Sequence, residues 1–325
     1  GPLGLDGHFV DRLILLMNPS AQPDQKAIGG AKTIGPTLAL LAMTACWGST
    51  FFLIHDLLER MPVADFLAIR FIIASIAMVI VAPRAIGRLD PAKRKHALVL
   101  GLLYGVAQVL QTAGLAHTAA SVSGFITGFY VVATPFFAAM ILKTKIGPMT
   151  WLAVVVAIAG IAILTLGNVG GLQLGYGEAL TFVAALVYAL HIVGLGAWST
   201  AGDAVGMAIV QAIMIASVTT IAAIPGGITL PDRTTDWLSI LYMAIFAGAL
   251  ALLGQTWAQA HLSPTRSAII MSMEPVFAAF FAVSLGGESL TARMVTGGGL
   301  VVAAMVIVEL APRSKPEAEL PHLQV

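Results

Sequence analysis

The stretch QTWAQAHLSPTRSA, residues 255–268, decides the fold because an earlier stretch of the chain repeats it. The earlier stretch is QTAGLAHTAASVSG, residues 111–124, which shares the Gln-Thr and Ala-His pairs at an offset of 144. A second match pairs TPFFAA, residues 134–139, with EPVFAA, residues 274–279, at an offset of 140. The first half therefore holds about one extra helical turn between the two matches. Together the matches predict an internal duplication.

The composition predicts an integral membrane protein. Of the 325 residues, 58% are hydrophobic and only 10% are charged, and the mean hydropathy is +0.92. A soluble domain usually carries about 25% charged residues. The net charge of +1 gives no reason to expect a nucleic-acid partner. The single cysteine, Cys46, excludes an internal disulfide and a cysteine-rich metal site.

Ten apolar segments approach the length of about 20 residues that a spanning helix needs. They lie at 35–55, 63–83, 96–116, 119–142, 149–166, 175–196, 204–224, 237–259, 265–286 and 291–310. Five spans in each half would place the two copies upside down relative to each other, as in secondary transporters with inverted repeats. The predicted fold is thus an all-α membrane protein with ten transmembrane helices in two inverted five-helix repeats.

The predicted units follow from these spans. Residues 1–4, GPLG, match the scar of a removed affinity tag, and residues 5–33 form an N-terminal tail. The first repeat covers 34–168, the second covers 172–310, and residues 311–325 form a C-terminal tail. Thirteen basic residues fall on the side of both termini and three on the opposite side, with Arg70 inside a span. The positive-inside rule therefore predicts that both termini are cytoplasmic.

Three motifs carry a resemblance to a known family. They are ACWGSTFF at residues 45–52, MEPVFAAFFA at 273–282 and GGESL at 286–290. With the five-plus-five repeat, they resemble the drug/metabolite transporter superfamily of the EamA type, and within it the bacterial aromatic amino-acid exporters of the YddG type. The resemblance implies export of small metabolites, most specifically aromatic amino acids, across the bacterial inner membrane by alternating access. One departure is that Pro148 follows Gly147, where the second half has Gly287-Glu288.

The sequence offers no enzyme signature. It has no HExxH motif and no phosphate-cradling GxxxxGK[ST] loop, and GNVGG at residues 167–171 falls in a short loop. Transport along a gradient needs neither a catalytic group nor a cofactor. We therefore expect no enzyme activity, no cofactor and no metal, and the expected partners are a small amphipathic solute and the lipid bilayer.

Two charged residues lie inside spans, where charge is costly and is usually kept for function or for an internal partner. Glu274 lies eight residues past Arg266, which places it about 12 Å into a hydrocarbon core about 30 Å thick. It is predicted to bind a substrate ammonium group or to exchange a proton; alternatively, it hydrogen-bonds a helix opened by Pro275. Because Pro275 recurs as Pro135, the repeat predicts an opened helix in both halves. Arg70 either extends outward toward Asp65 or the outer surface, as a packing or ion-pair residue, or clamps a substrate carboxylate.

Several spans also carry aromatic and amide side chains on one helix face. Such faces are costly against lipid, so they are predicted to turn inward and to line a cavity for a solute with a flat apolar body. For Trp47 and His191, core packing is an equal alternative. The predicted substrate-binding residues are Trp47, Tyr104, Gln108, Tyr188, His191, Gln255 and Glu274.

The sequence is compatible with two other functions. Efflux of lipophilic cations or drugs would make the Glu274 carboxylate essential. A membrane protein with a structural or signalling role would need exposed surface for partners, and the short connections between spans disfavour it.

Overall fold

The computed structural model describes residues 33–117, 120–166, 175–285 and 289–311, and this part of the chain is helical without strands. The predicted tag scar, nearly all of both predicted tails, the GNVGG loop and the Gly287-Glu288 turn lie outside the described residues. Each of the ten predicted spans corresponds to helical structure. The helices are α1 Ile34–Leu58, α2 Val63–Val81, α3 Ala85–Arg88, α4 Pro91–Leu115, α5 Ala120–Thr127, α6 Tyr130–Ile141, α7 Pro148–Leu166, α8 Tyr176–Trp198, α9 Ala204–Ala223, α10 Thr234–Ala244, α11 Ala251–Gln259, α12 Pro264–Met271, α13 Glu274–Ser284 and α14 Ala292–Leu310.

Seven helical stretches within the described residues are long and apolar enough to cross a membrane. They are Val63–Val81, Pro91–Leu115, Ser123–Ile141, Tyr176–Trp198, Ala204–Gly226, Thr234–Gln259 and Ala292–Leu310. A shorter apolar helix covers Pro148–Ile163. The protein is thus a multi-pass membrane protein, whereas the count of ten spans stays a prediction.

The predicted ninth span is broken at the place where its proline requires it. Helix α12 ends at Met271 and α13 begins at Glu274, so Pro275 occupies the first turn of α13, where a missing N–H costs nothing. The backbone at the break tightens, since the Met273 N–H donates to the Ile270 carbonyl, three residues back. Pro275 therefore opens the helix as predicted.

The first half breaks at a different residue from the one that the repeat predicts. Helix α5 ends at Thr127 and α6 begins at Tyr130, so Pro135 lies inside α6 and does not mark the break. The turn falls at Gly128, where an added Cβ would lie 3.1 Å from the Ile161 Cδ1 atom. A side chain at this turn would press on α7, and glycine avoids that contact. The prediction that the two prolines mark equivalent breaks is wrong for the first half.

Helix contacts occur in pairs that exchange when the two halves are swapped. Helix α1 packs on α13, and its counterpart α8 packs on α6; likewise α9 packs on α4, and α2 packs on α10 and the turn after it. Two further pairs, α7 with α14 and α2 with α9, map onto themselves. This arrangement is what an internal duplication produces.

The α7–α14 contact depends on glycine. A Cβ at Gly160 of α7 would lie 2.7 Å from the Gly297 carbonyl oxygen of α14, so the two backbones touch at this point. Small residues permit such close approach between membrane helices, where dispersion contacts replace the hydrophobic effect. Gly297 thus has the close-packing role expected of small residues, whereas no atom lies within 4 Å of a Cβ added at Gly299.

Candidate functional site

The Trp-Gly motif of α1 holds α13 and with it Glu274. A Cβ at Gly48 would lie 2.6 Å from the Phe277 Cβ and 3.0 Å from the Glu274 carbonyl oxygen. Only glycine allows α13 to approach α1 this closely. Two of the three motifs that suggest the family, those in the first and ninth predicted spans, are therefore in direct contact.

A wide turn in the eighth predicted span fixes both Trp47 and Arg70. Between α10 and α11, residues Ile245–Leu250 form a π-helix, and such turns are frequent at functional sites. The Ala247 carbonyl there accepts the Trp47 indole N–H at 2.9 Å and the Arg70 Nη2 at 2.8 Å. Arg70 Nε also donates to the Met243 carbonyl at 3.3 Å.

Arg70 is buried, with 5% of its surface exposed, and its guanidinium lies near the Phe66 and Phe71 rings. The expectation that it extends outward, toward Asp65 or the outer surface, is wrong, because the buried guanidinium donates to the Met243 and Ala247 carbonyls, and Asp65 accepts the Thr229 backbone N–H. The Met243 carbonyl of α10 and the Ala247 carbonyl of the π-helix are its internal partners.

Tyrosines from two helices form the aromatic wall of the site. Tyr104 of α4 and Tyr188 of α8 meet edge to face with their ring centroids 5.6 Å apart. The Tyr188 hydroxyl donates to Gln111 Oε1 at 2.9 Å, and the Gln108 side chain lies beside the Tyr104 hydroxyl. This part of the predicted cavity lining is brought together by the fold.

His191 supports that wall from behind. It is 1% exposed, its ring meets Tyr104 edge to face at 5.1 Å, and its Nε2 lies 3.0 Å from Gln211 Oε1. Gln211 in turn donates to Thr256 at 3.2 Å, so the amide links α8, α9 and α11. The core-packing alternative describes His191 in this conformation.

Gln255 is also placed in the packing between helices. Its Nε2 donates to Gln259 Oε1 at 3.0 Å, and Gln259 donates to the Ile192 carbonyl at 2.9 Å, which ties α11 to α8. Both glutamines are buried, with 2% and 1% of their surface exposed. Their role in this geometry is to join helices.

Glu274 is the one carboxylate among the predicted substrate-binding residues. It is half-buried and has no hydrogen bond or ion pair to any residue that the structure describes. The alternative that it secures the opened helix through a hydrogen bond is therefore wrong within this part of the chain. Glu274 interacts electrostatically with Arg70, Tyr104, Tyr130 and Tyr188.

The structure also adds residues that the sequence did not single out for the site. Tyr130, at the start of α6, belongs to the group around Glu274. Gln211 had a weak signal, since it lies where the repeat would place a counterpart of Arg70. No sequence signal indicated the π-helix, because its residues, IFAGAL, are apolar like those of any membrane-spanning segment. No group of three or more metal-ligating side chains occurs among the described residues.

Comparison with known proteins agrees with this architecture. The EamA-like transporter family matches the chain twice, at residues 33–166 and 175–310. An uncharacterized transporter of Archaeoglobus fulgidus is 27% identical over 305 residues, covering 94% of this chain and 96% of the relative. The uncharacterized inner membrane transporter YedA of Escherichia coli is 26% identical, covering 84% of this chain and 90% of the relative.

One solved crystal structure has the same fold at low identity. Its TM-score is 0.72 at 14% sequence identity, and the match covers 84% of this chain and 96% of that one. Together with the two family matches, these findings establish that the chain belongs to the EamA-like transporter family.

Proposed function

We propose that this protein is a secondary transporter that exports small amphipathic metabolites, most specifically aromatic amino acids, across the bacterial inner membrane. The observation that carries the proposal is the Glu274 carboxylate, which has no hydrogen bond or ion pair among the described residues and interacts electrostatically with Arg70, Tyr104 and Tyr188. An unpaired carboxylate inside a membrane protein is costly, and a transported cationic group offsets that cost when it binds.

The groups around Glu274 match the three parts of an aromatic amino acid. The Glu274 carboxylate binds the ammonium group of the substrate. Tyr104 and Tyr188 contact the flat apolar part of the substrate with their ring faces and edges. Arg70 uses its Nε and one Nη for backbone carbonyls within the described chain, which leaves donors of its guanidinium for a substrate carboxylate.

Alternating access is supported by the paired helix contacts. We propose two inverted five-helix repeats, 34–168 and 172–310, ten spans in all, with both termini in the cytoplasm. The family matches at 33–166 and 175–310 support this division. Each half contributes one broken helix, α5–α6 and α12–α13, and such breaks suit a binding site at the interface between two repeats.

The test is efflux of labelled phenylalanine or tryptophan from loaded proteoliposomes that contain the purified protein. We expect efflux well above that of protein-free vesicles, with competition by unlabelled aromatic amino acids and little by aliphatic ones. Efflux no faster than from protein-free vesicles, for both amino acids, would overturn the assignment of substrate.

Efflux of lipophilic cations is the second candidate, and it is favoured because Glu274 has no anchoring partner in the part of the chain that the structure describes. Arg70 disfavours it, because a fixed positive charge that interacts with Glu274 repels a purely cationic solute. The same vesicles distinguish the two functions: transport of a quaternary aromatic amine without transport of phenylalanine would identify a cation exporter.

A further inference from the structure

A groove outside the site lies where α4 begins and α8 ends. It has a volume of about 320 Å³ and is lined by Lys95, His96, Leu98, Val99 and Trp198. We call it the Lys95 groove. It lies on the side that the positive-inside rule predicts to be cytoplasmic, and no residue named in the candidate site lines it.

Two stacked rings form one wall of the groove. The His96 and Trp198 rings stack with centroids 4.3 Å apart and an angle of 6° between their planes. Lys93 Nζ donates to the Trp198 carbonyl at 2.5 Å and lies 4.0 Å from an Asp203 carboxylate oxygen. Lys93 is thus committed to the protein itself, and its charge is offset by Asp203.

Unlike Lys93, Lys95 is exposed, and it lies at the start of an apolar face of α4. Leu98 and Leu102 follow it at i+3 and i+7 on the same face of α4, and they are 41% and 46% exposed. At 1.5 Å per residue, Leu98 lies about 4.5 Å and Leu102 about 10 Å below Lys95 along the helix. A cationic group therefore stands directly above a lipid-facing apolar surface.

The charge around the groove is positive. Arg84, Arg88, Arg94 and Lys95 are exposed beside it or on the same connection, and Arg94 donates only to the Leu89 and Gly87 carbonyls among described partners. Asp203 is engaged by Thr200 at 2.6 Å in addition to Lys93. Asp90 is the remaining carboxylate of this connection.

From this arrangement we propose that the Lys95 groove binds an anionic phospholipid of the cytoplasmic leaflet. The phosphate lies at Lys95, and an acyl chain runs along Leu98, Val99 and Leu102 against the Trp198 wall. A soluble anion would use the charge alone, and a zwitterionic lipid would use the apolar face alone. An anionic lipid uses both.

Trp198 makes this lipid site measurable. The full chain is reconstituted into vesicles that contain phosphatidylglycerol or phosphatidylcholine with brominated acyl chains, and quenching of tryptophan fluorescence gives the relative association of the two lipids. A Trp198→Phe variant identifies the part of the quenching that arises in the groove. We expect phosphatidylglycerol to be preferred at this tryptophan.

The Lys95→Gln variant tests which residue provides that preference. One basic residue near a membrane surface changes anionic-lipid association by about five-fold, so Lys95→Gln should lower the preference by about that factor. Arg84→Gln is the matched control, because it removes a charge from the same connection without changing the groove. Equal quenching by both lipids in the wild type, or equal loss in both variants, would overturn the proposal.

Discussion

Replacing Gly48 with alanine tests the contact that positions Glu274. The new Cβ would lie 2.6 Å from the Phe277 Cβ and 2.8 Å from the Ala278 backbone nitrogen, where ordinary contact begins at 3.4 Å. Because one of these neighbours is backbone, α1 and α13 must separate by about 0.8 Å. Overpacking of this kind costs about 1–3 kcal/mol.

Gly299→Ala is the matched control. It also exchanges a helical glycine for alanine, but nothing lies within 4 Å of the new Cβ. Both variants gain about 0.5–1 kcal/mol from the better helix propensity of alanine, so the difference between them isolates the packing cost. That difference is expected to be about 1–3 kcal/mol.

The assay is reversible unfolding of both variants in mixed micelles of a mild detergent and increasing sodium dodecyl sulfate, followed by efflux measurements on each. We expect Gly48→Ala to unfold at lower dodecyl sulfate and to transport more slowly than Gly299→Ala. Equal stability and equal efflux of the two variants would refute the inference that the Trp-Gly motif sets the position of α13.

Further predictions concern the polar contacts around the site. Arg70→Gln removes a cation from two buried carbonyls and should destabilise the fold by about 3–6 kcal/mol in the same unfolding assay, since charged hydrogen bonds are worth about 1.5–3 kcal/mol each; stability like that of the wild type would show that these contacts do not hold α2 to the π-helix. Gln211→Leu leaves the buried His191 ring without its partner and should cost about 1–3 kcal/mol in the same assay, and wild-type stability would show that this amide does not join the helices. Arg60 and Asp236, joined at 2.7 Å and 3.1 Å, should show a coupling free energy of about 0.5–3 kcal/mol in a double-mutant cycle, and additive effects would mean that the pair does not hold α10 to the α1–α2 connection.

Much of the fold follows from apolar length and from the repeat. Helices begin and end where water and lipid meet, so hydropathy places α2, α8 and α9 to within a few residues. Breaks in the helices are less predictable, because they depend on packing against neighbouring helices. Pro275 fixes the break before α13 by its own chemistry, whereas the break before α6 falls at Gly128, which packs against Ile161 of α7.

The site was predictable in composition and less so in geometry. The intramembrane charge of Glu274 and the aromatic faces of α4 and α8 are visible in the sequence, and the structure brings them together. The partners of Arg70 were not predictable, because residue identity does not show that a backbone carbonyl accepts a side chain from another helix. The sequence pattern of a buried amide such as Gln255 is the same whether it lines a cavity or joins two helices. Only the hydrogen bonds in the structure distinguish the two roles.

Glu274 is the group that we propose binds the solute. The most direct measurement is the efflux of labelled phenylalanine, at several pH values, from proteoliposomes that contain the wild type, Glu274→Gln or the control Glu178→Gln, which changes a helix cap at the start of α8. Loss of one charged contact is worth about 1.5–3 kcal/mol, so Glu274→Gln should slow efflux about ten-fold or more and abolish its pH dependence while the protein stays folded. Wild-type efflux across the pH range in Glu274→Gln would contradict the account and make the glutamate a structural residue.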